Sequence, residues 1–353
     1  MKTIEKEFNI YKNMRPRVLL LGNGLCRSFG GMSWNKLLDE IKDPKFALEA
    51  NRYVLPMPLK AAMLAGKDLA SKMRKLVTKM SSEGEEGVDW TSFVKTTMEM
   101  RQRISNLIID NFDYVLTTNY SYEIEASILG LQTLTPEKIR LLMNYHEVKN
   151  AQNKFLINTY NKANGVPVWH IHGEARKPDS MIIGSYYYGK LLRRCIERLD
   201  GNGDDSSLAK EKEAQNYGGK TVEFKRNLQK NKAQKIGSWV DAFVLGDVYI
   251  LGLGMDFSEA DLWWLIEYKR NNSKICGRTV FLEPQVNPYG KCLIDEEIDC
   301  KHATEYINGR LCKSLLLKSY GVEIDDLGFT INEPEDYKLF YDKAINRLKN
   351  RNT

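Results

Sequence analysis

The chain has 353 residues, of which 42% are hydrophobic and 28% are charged. This composition is ordinary for a soluble globular protein, and it excludes collagen-like, coiled-coil and wholly disordered chains. There are 52 lysines and arginines against 46 aspartates and glutamates, and a net charge of +6 is too small at this length to indicate a nucleic-acid-binding protein by itself.

Short apolar runs, each followed directly by small or polar residues, recur along the chain. They lie at Arg17–Leu21, Tyr114–Thr117, Val166–His170, Ser180–Ile183, Val248–Leu251 and Arg278–Leu282. Runs of this length with helical segments between them indicate buried parallel strands. The sequence therefore predicts an α/β fold, a Rossmann-like parallel sheet with helices on both faces.

The predicted organisation is a single sheet domain with additions. Residues 1–32 hold the first strand and its glycine turn, 33–110 form a helical insert, 111–290 complete the sheet, and 291–353 form a C-terminal extension. A glycine-rich polar stretch at about 200–210 predicts a flexible linker. The lysine-rich stretch at 208–237 also carries glutamates, so we interpret it as a solvated helical face rather than a nucleic-acid site.

The first glycine turn follows the strand that ends at Leu21. Gly22, Asn23 and Gly24 would let the backbone approach a pyrophosphate closely at a helix N-terminus. Arg27 stands where a GxGxxG motif has its third glycine, and its guanidinium is suited to pair with a phosphate. The alternative is a tight strand-to-helix turn that binds nothing.

Polar residues also follow the next two strands. Thr118 and Asn119 follow the second strand, and His170 and His172 lie two residues apart at the end of the third. Open α/β sheets bind ligands at the carboxyl ends of their strands, an asparagine both donates and accepts hydrogen bonds, and a histidine titrates near neutral pH. The alternatives are an Asx turn or helix cap at Asn119 and buried structural roles for the histidines.

A second glycine turn follows the strand that ends at Leu251. Gly252, Gly254 and Asp256 form it, and Ser258 is the predicted N-cap of the helix behind it. Two glycine turns at strand ends suit a dinucleotide, which carries two phosphates and two riboses. At the end of the following strand, Glu283 is a candidate to accept hydrogen bonds from ribose hydroxyls.

The six cysteines include no CxxC pair, which argues against a zinc ribbon or a redox motif. One loose group has a spacing that matches no zinc module, so no metal site is predicted; it comprises Cys292, Cys300, His302 and Cys312. Isolated cysteines fit a reducing compartment. The first residues lack an apolar signal region, and no apolar run is long enough to cross a membrane, so a cytoplasmic location without membrane contact is expected.

In this order the motifs resemble those of the sirtuin family, and more narrowly the bacterial sirtuin-like NAD hydrolases of antiphage defence systems. The segments that carry the resemblance are Gly22–Gly24, Asp113–Asn119, His170–Gly173 and Leu251–Trp263. They span about residues 17–285, most of the chain, and their ordered set is more specific than any one of them.

The resemblance implies an NAD-binding Rossmann-like domain in which Asn119 and His172 are the essential pair, with His170 in a structural role. The four-cysteine zinc module of the sirtuin deacylases is missing from the sequence, and so is their acidic-Phe-Arg segment. The resemblance therefore implies cleavage of NAD by water rather than lysine deacylation. It also implies regulation by assembly, through a homo-oligomer or a partner such as a HerA-like ATPase.

Cleavage of the nicotinamide–ribose bond should pass through an oxocarbenium-like state, as glycoside cleavage does. We expect Asn119 to orient the water or the ribose 2′-hydroxyl and His172 to accept a proton. The remaining candidate NAD-binding residues are Gly22, Asn23, Gly24, Arg27, Thr118, Gly252, Gly254, Asp256 and Glu283. Two alternatives are a non-catalytic subunit that senses NAD or ADP-ribose, and a protein deacylase or ADP-ribosyl transferase.

Overall fold

The protein is described by a computed structural model that covers residues 15–27, 72, 90–131, 157, 159–174, 180–200, 236–287, 303–333 and 335–350. Most of the predicted helical insert, nearly all of the predicted linker and the lysine-rich stretch up to residue 235 lie outside these residues. So do Cys292, Cys300 and His302.

The described segments alternate between strands and helices. The strands are β1 Arg17–Leu21, β2 Tyr114–Thr117, β3 Asn161–Ala163, β4 Val166–His170, β5 Asp247–Leu251, β6 Thr279–Leu282, β7 Gln285–Val286, β8 Glu323–Asp325 and β9 Thr330–Ile331. The helices are α1 Asn23–Arg27, α2 Trp90–Asn111, α3 Glu123–Ile128, α4 Ser185–Asp200, α5 Trp239–Leu245, α6 Ala260–Asn271, α7 Ala303–Ser319 and α8 Asp336–Asn350.

A seven-stranded sheet forms the centre of the molecule, with the strand order β3-β4-β2-β1-β5-β6-β8. Every neighbouring pair is parallel except β3 with β4. If the six parallel strands alone are numbered along the chain, leaving out β3, their order across the sheet is 3-2-1-4-5-6. This is the strand order of the Rossmann fold. The predicted Rossmann-like fold is therefore confirmed, and the strand order reverses between β1 and β5, where such sheets bind ligands.

Helices cover both faces of the sheet, as predicted. On one face, side chains such as Leu20 and Ile250 pack with α4, α5, α6 and α7. On the other face, Leu19 and Leu251 pack with α2, α3 and α8. Successive strand residues point to opposite faces of the sheet, so a parallel strand that is covered by helices on both faces must be apolar along its whole length.

Two local predictions are wrong. Residues 181–183 are buried but form no strand; they run past the end of β4, where the Ile182 N–H donates to His172 O at 2.7 Å. The N-cap of α6 is Glu259 rather than Ser258, because the Glu259 carbonyl oxygen accepts the first hydrogen bond of the helix, from the Trp263 N–H at 3.0 Å. An apolar run and a serine before a helix each fit more than one local structure.

The predicted C-terminal extension contributes to the sheet itself. Its strand β8 pairs in parallel with β6, and Leu317 of α7 lies in the core below it. Helix α8 buries Phe340, Ala344 and Leu348 against the opposite face. No helix among the described residues is both long enough and apolar enough to cross a membrane.

A buried lysine joins three elements behind the sheet. Lys269 of α6 is 5% exposed, and its Nζ donates hydrogen bonds of 3.0 Å each to the carbonyl oxygens of Phe243, Gly246 and Arg278. An ammonium group has three donors and no acceptor, so these carbonyls match its capacity. Lys269 thereby ties α6 to the end of α5 and the start of β6.

We expect Lys269→Met to lower the free energy of unfolding by about 3 kcal/mol, because three buried carbonyls lose their donor at about 1 kcal/mol each. Urea denaturation with an unchanged m value measures the loss. Lys274→Met, at an exposed position beyond the same helix, is the control and should stay within about 0.5 kcal/mol of the parent. Equal stability of the two variants would contradict this role for Lys269.

Candidate functional site

The two predicted glycine turns pack directly against each other at the switch point. The Gly22 N–H donates to Leu251 O at 3.0 Å, and the Gly24 N–H donates to Gly252 O at 2.7 Å. A β-carbon on Gly22 would overlap Gly252 O, and Gly252 has a φ of +70°. These glycines are therefore required by the close contact between the turns.

This contact occupies two backbone donors at the predicted phosphate site. The Gly22 N–H is donated to the last residue of β5 and the Gly24 N–H to the second turn, whereas the close approach of a phosphate to these glycines stays a prediction. Asn23 is half-buried in the same turn. Residue 27 ends α1, and the placement of its side chain lies outside the described part of the structure.

The second turn is held from the C-terminal part of the chain. Lys313 of α7 donates through Nζ to Gly254 O at 2.6 Å and to Glu283 Oε1 at 2.8 Å. Arg310 of the same helix lies 3.0 Å from the same carboxylate oxygen. Glu283, the candidate for ribose binding, forms an ion-paired link between the end of β6, α7 and the turn.

Asp256 shapes the end of the second turn. Its Oδ1 accepts a hydrogen bond from the Ser258 N–H at 2.8 Å, and its carbonyl oxygen accepts one from Trp263 Nε1 at 2.9 Å. Met255 before it has a φ of +48°, a strained value for a residue with a side chain. The turn thus holds a sparsely populated backbone conformation at the ligand-binding edge of the sheet.

Asn119 and His172 lie at matching positions beyond neighbouring strands. Thr117 of β2 pairs with His170 of β4. Asn119 lies two residues after Thr117, and His172 lies two residues after His170. The Ile171 N–H continues this pairing by donating to Thr117 O at 2.9 Å. The predicted catalytic pair is therefore brought to one edge of the sheet from positions that are 53 residues apart in the chain.

Glycine is needed directly after His172. Gly173 has a φ of +93°, and a β-carbon there would overlap Ser180 O. The segment at Ser180 runs back past β4, and Tyr120 Oη donates to Ile182 O at 3.0 Å. The chain after β2 and the chain after β4 are thus fixed to the same buried segment.

His170 is buried between two acceptors. Its Nδ1 lies 2.7 Å from Asn119 O and its Nε2 lies 2.8 Å from Glu125 Oε1. Burial alone lowers the pKa of His170, but the charge and hydrogen bond of Glu125 outweigh it and raise the pKa to about 9. The ring is therefore an imidazolium at neutral pH that holds the Asn119 backbone, which agrees with a structural role.

His172 belongs to a second buried cluster. Its Nε2 lies 3.0 Å from Asp261 Oδ2 and 3.5 Å from Glu259 Oε2, and its Nδ1 lies 3.5 Å from Tyr188 Oη. Burial lowers the pKa of His172, but Asp261 and Glu259 raise it further, so the net shift is upward. Both ring nitrogens therefore face protein groups, and the two carboxylates favour the charged form of the ring.

The two carboxylates of this cluster differ in their surroundings. Asp261 is fully buried, and its Oδ1 accepts no hydrogen bond within the described residues. Burial raises the pKa of Glu259 to about 7, with the His172 charge acting in the opposite direction. Two carboxylates around one imidazolium leave the cluster with a net negative charge when both are ionised.

The three residues also offer ligand atoms that lie within 4.8 Å of one another, as metal-binding groups do. A metal bound by His172 would need Nε2 without its proton, whereas here Nε2 is at hydrogen-bonding distance from Asp261. We interpret the group as a hydrogen-bonded cluster.

Sequence reasoning missed Glu125, Tyr188, Glu259 and Asp261. Glu259 and Asp261 lie three and five residues after Asp256 of the second glycine turn, and this closeness in the chain is the signal that was available. Their partner His172 lies 89 residues before Asp261, and only the parallel pairing of the strands brings them together.

Neither the comparison with protein-family models nor the search of curated proteins finds a match for this chain.

The His170–Glu125 pair should make stability depend on pH. The folded pKa of about 9 exceeds the unfolded value of 6.5, so the pair contributes fully below about pH 6.5, and its contribution is lost as the pH rises through about 9. Glu125→Gln should lower the free energy of unfolding at about pH 6 by about 3 kcal/mol and flatten this dependence. Urea denaturation across this range measures both.

The control for this prediction is Glu99→Gln, the same chemical change at an exposed position of α2. It should keep the pH dependence of the parent protein. If Glu125→Gln kept that dependence as well, the assignment of the imidazolium to His170 would be contradicted.

Proposed function

We propose that this protein hydrolyses NAD at the nicotinamide–ribose bond to give nicotinamide and ADP-ribose. The observation that carries the proposal is the position of Asn119 and of the His172 cluster beyond the ends of neighbouring strands of a Rossmann-like sheet. This is the edge at which such sheets bind nucleotides. The order of the motifs, which resembles that of sirtuin-like NAD hydrolases, supports the same reaction.

The charge of the cluster suits this reaction. As the glycosidic bond breaks, positive charge develops on the ribose ring. Preorganised negative groups stabilise such a charge most strongly in a site that excludes water. Asp261 and Glu259 supply negative charge, and His172 Nε2 lies within 3.5 Å of an oxygen of each.

Asn119 supplies the neutral polar group of the site. Its backbone N–H donates a hydrogen bond to Thr117 Oγ1 at 3.1 Å. Its carbonyl oxygen lies 2.7 Å from His170 Nδ1. A side-chain amide on a backbone held in this way can orient a water molecule or the ribose 2′-hydroxyl with a smaller loss of entropy. Thr118 beside it is also buried at this edge.

The proposal extends to the biological setting that the resemblance implies. Uncontrolled hydrolysis of NAD would kill the cell, so we propose a cytoplasmic antiphage effector whose activity is controlled by homo-oligomerisation or by a partner such as a HerA-like ATPase. Incubation with NAD, with and without the product of the neighbouring gene, tests this setting.

Asn119→Ala should reduce NAD hydrolysis by about 100-fold or more, as the loss of a positioned polar group in a catalytic site does. Mass spectrometry of nicotinamide and ADP-ribose measures it and separates hydrolysis from cyclisation or transfer. Asn106→Ala, at an exposed position of α2, is the matched control and should retain full activity.

Three outcomes would contradict the proposed function. Asn119→Ala at full activity would remove the proposed role of the amide. Saturable NAD binding by the wild-type protein without turnover, in the presence of its partner, would favour a sensing subunit. NAD-dependent loss of an acetyl group from a peptide would favour a deacylase.

A further inference from the structure

Glu259 is the member of the His172 cluster that reaches solvent. Its side chain is 15% exposed, against 1% for His172 and 0% for Asp261. It is the N-cap residue of α6 and lies three residues after Asp256 of the second glycine turn. It therefore lies at the ligand-binding edge of the sheet, with the other two residues behind it.

His172 is poorly placed to take a proton from a substrate. Its Nε2 is directed at Asp261 and Glu259, and its Nδ1 is directed at Tyr188 Oη. A proton acceptor must lie within hydrogen-bonding distance of the proton that it removes. The buried ring faces protein groups on both sides, so a proton that leaves the substrate meets Glu259 first.

One oxygen of Glu259 faces the cluster. Its Oε2 is buried and accepts no hydrogen bond within the described part of the chain, although it lies 3.5 Å from His172 Nε2. The 15% exposure of the side chain therefore belongs to its other atoms, and a water molecule or a hydroxyl at this edge would approach the carboxyl group there.

We propose that Glu259, rather than His172, accepts the proton of the attacking water, an inference that rests on the proposed hydrolysis of NAD. The bond between ribose C1′ and the nicotinamide nitrogen breaks, and its electron pair neutralises the pyridinium ring. The water oxygen bonds to C1′ and gives one proton to the Glu259 carboxylate, which later releases it to solvent. The balance is NAD⁺ and water to nicotinamide, ADP-ribose and one proton.

The electrostatics of the site agree with this role. The titratable groups that act on Glu259 or are influenced by it are His172 after β4, Tyr120 after β2, Tyr188 on α4, and Asp256 and Asp261 on its own segment. Burial and the two aspartates raise the pKa of Glu259, and His172 opposes them, with a result of about 7. A base with this pKa is well matched to neutral pH.

The sign of the pH dependence follows. Below about pH 7 Glu259 is protonated and accepts no proton, and above it the carboxylate is ionised. Its pKa is raised toward neutrality, so kcat for NAD hydrolysis should rise with pH through this value. A base role for His172 would need the neutral ring, whose pKa is itself raised by the same carboxylates.

The kinetic test compares Glu259→Gln with Glu267→Gln, the same change further along α6 at a half-buried position. Glu259→Gln should lower kcat by about 100-fold or more and abolish the rise of kcat with pH. NAD binding should persist, since the amide preserves the shape of the side chain. Glu267→Gln should keep both the wild-type kcat and the wild-type pH profile.

The outcomes of this test are separable. Full kcat and an unchanged pH profile in Glu259→Gln, with Asn119→Ala inactive, would overturn the role of Glu259 and leave the proposed function standing. A wild-type protein that never consumes NAD, with its partner present, would overturn both. Turnover that stops with a chelator and returns with a divalent cation would overturn the inference, because the oxygens would then bind a metal.

A second measurement needs no variant at Glu259. It therefore tests whether Glu259 or His172 accepts the proton even if Glu259→Gln fails to fold. Nitrogen-15 NMR of histidine-labelled wild-type protein reports the protonation of each ring, with His172 assigned from its loss in His172→Gln. We expect His172 to become neutral only above the pH at which a free histidine does so, because Asp261 and Glu259 raise its pKa. A His172 that titrates as a free histidine does, or at lower pH, would overturn the inference, because its neutral ring could then accept the proton.

Discussion

The parallel pairing of β1 with β5 is the interaction on which the rest of the site depends. The register Leu21 with Leu251 ends both strands at the same level. The two glycine turns that follow then meet and exchange hydrogen bonds from Gly22 and Gly24. Side chains larger than hydrogen on Gly22 or Gly252 would separate these turns, and the strand ends with them.

Around this contact the fold buries charged groups in pairs and networks. Glu283 is paired with Lys313 and Arg310, and Lys313 also binds the second turn. On the opposite side of the switch point, Glu125 and His170 hold the chain after β2. A buried charge without a partner is costly, so each pair fixes the relative position of the two elements that it joins. The ends of β2, β4, β5 and β6 are thereby held as one rigid edge.

The His172 cluster differs from these structural pairs because it is incompletely satisfied. The structural carboxylate of Glu283 meets two cations, whereas Glu259 and Asp261 share a single imidazolium. The excess negative charge and the unbonded oxygens of the cluster are unfavourable in the absence of a ligand. Such excess is typical of catalytic sites, where the cost is recovered when charge of the opposite sign develops on the substrate.

The sequence by itself determined the fold class and the edge at which the polar residues gather. Apolar runs such as Arg17–Leu21, apolar on both faces, predict parallel strands, and residues that directly follow such strands must lie at their carboxyl ends. The placement of Asn119 and His172 follows from this local rule. These features depend on neighbours in the chain.

Only the tertiary structure decided which side chains meet. The pairing of His172 with Asp261, of His170 with Glu125, and of Glu283 with Lys313 joins residues 30 to 89 positions apart. No periodicity links them, because their proximity depends on strand order and on the packing of helices across the sheet. For the same reason the pKa shifts of His172 and Glu259 could not be predicted from the sequence, because a pKa is set by burial and by charges close in space.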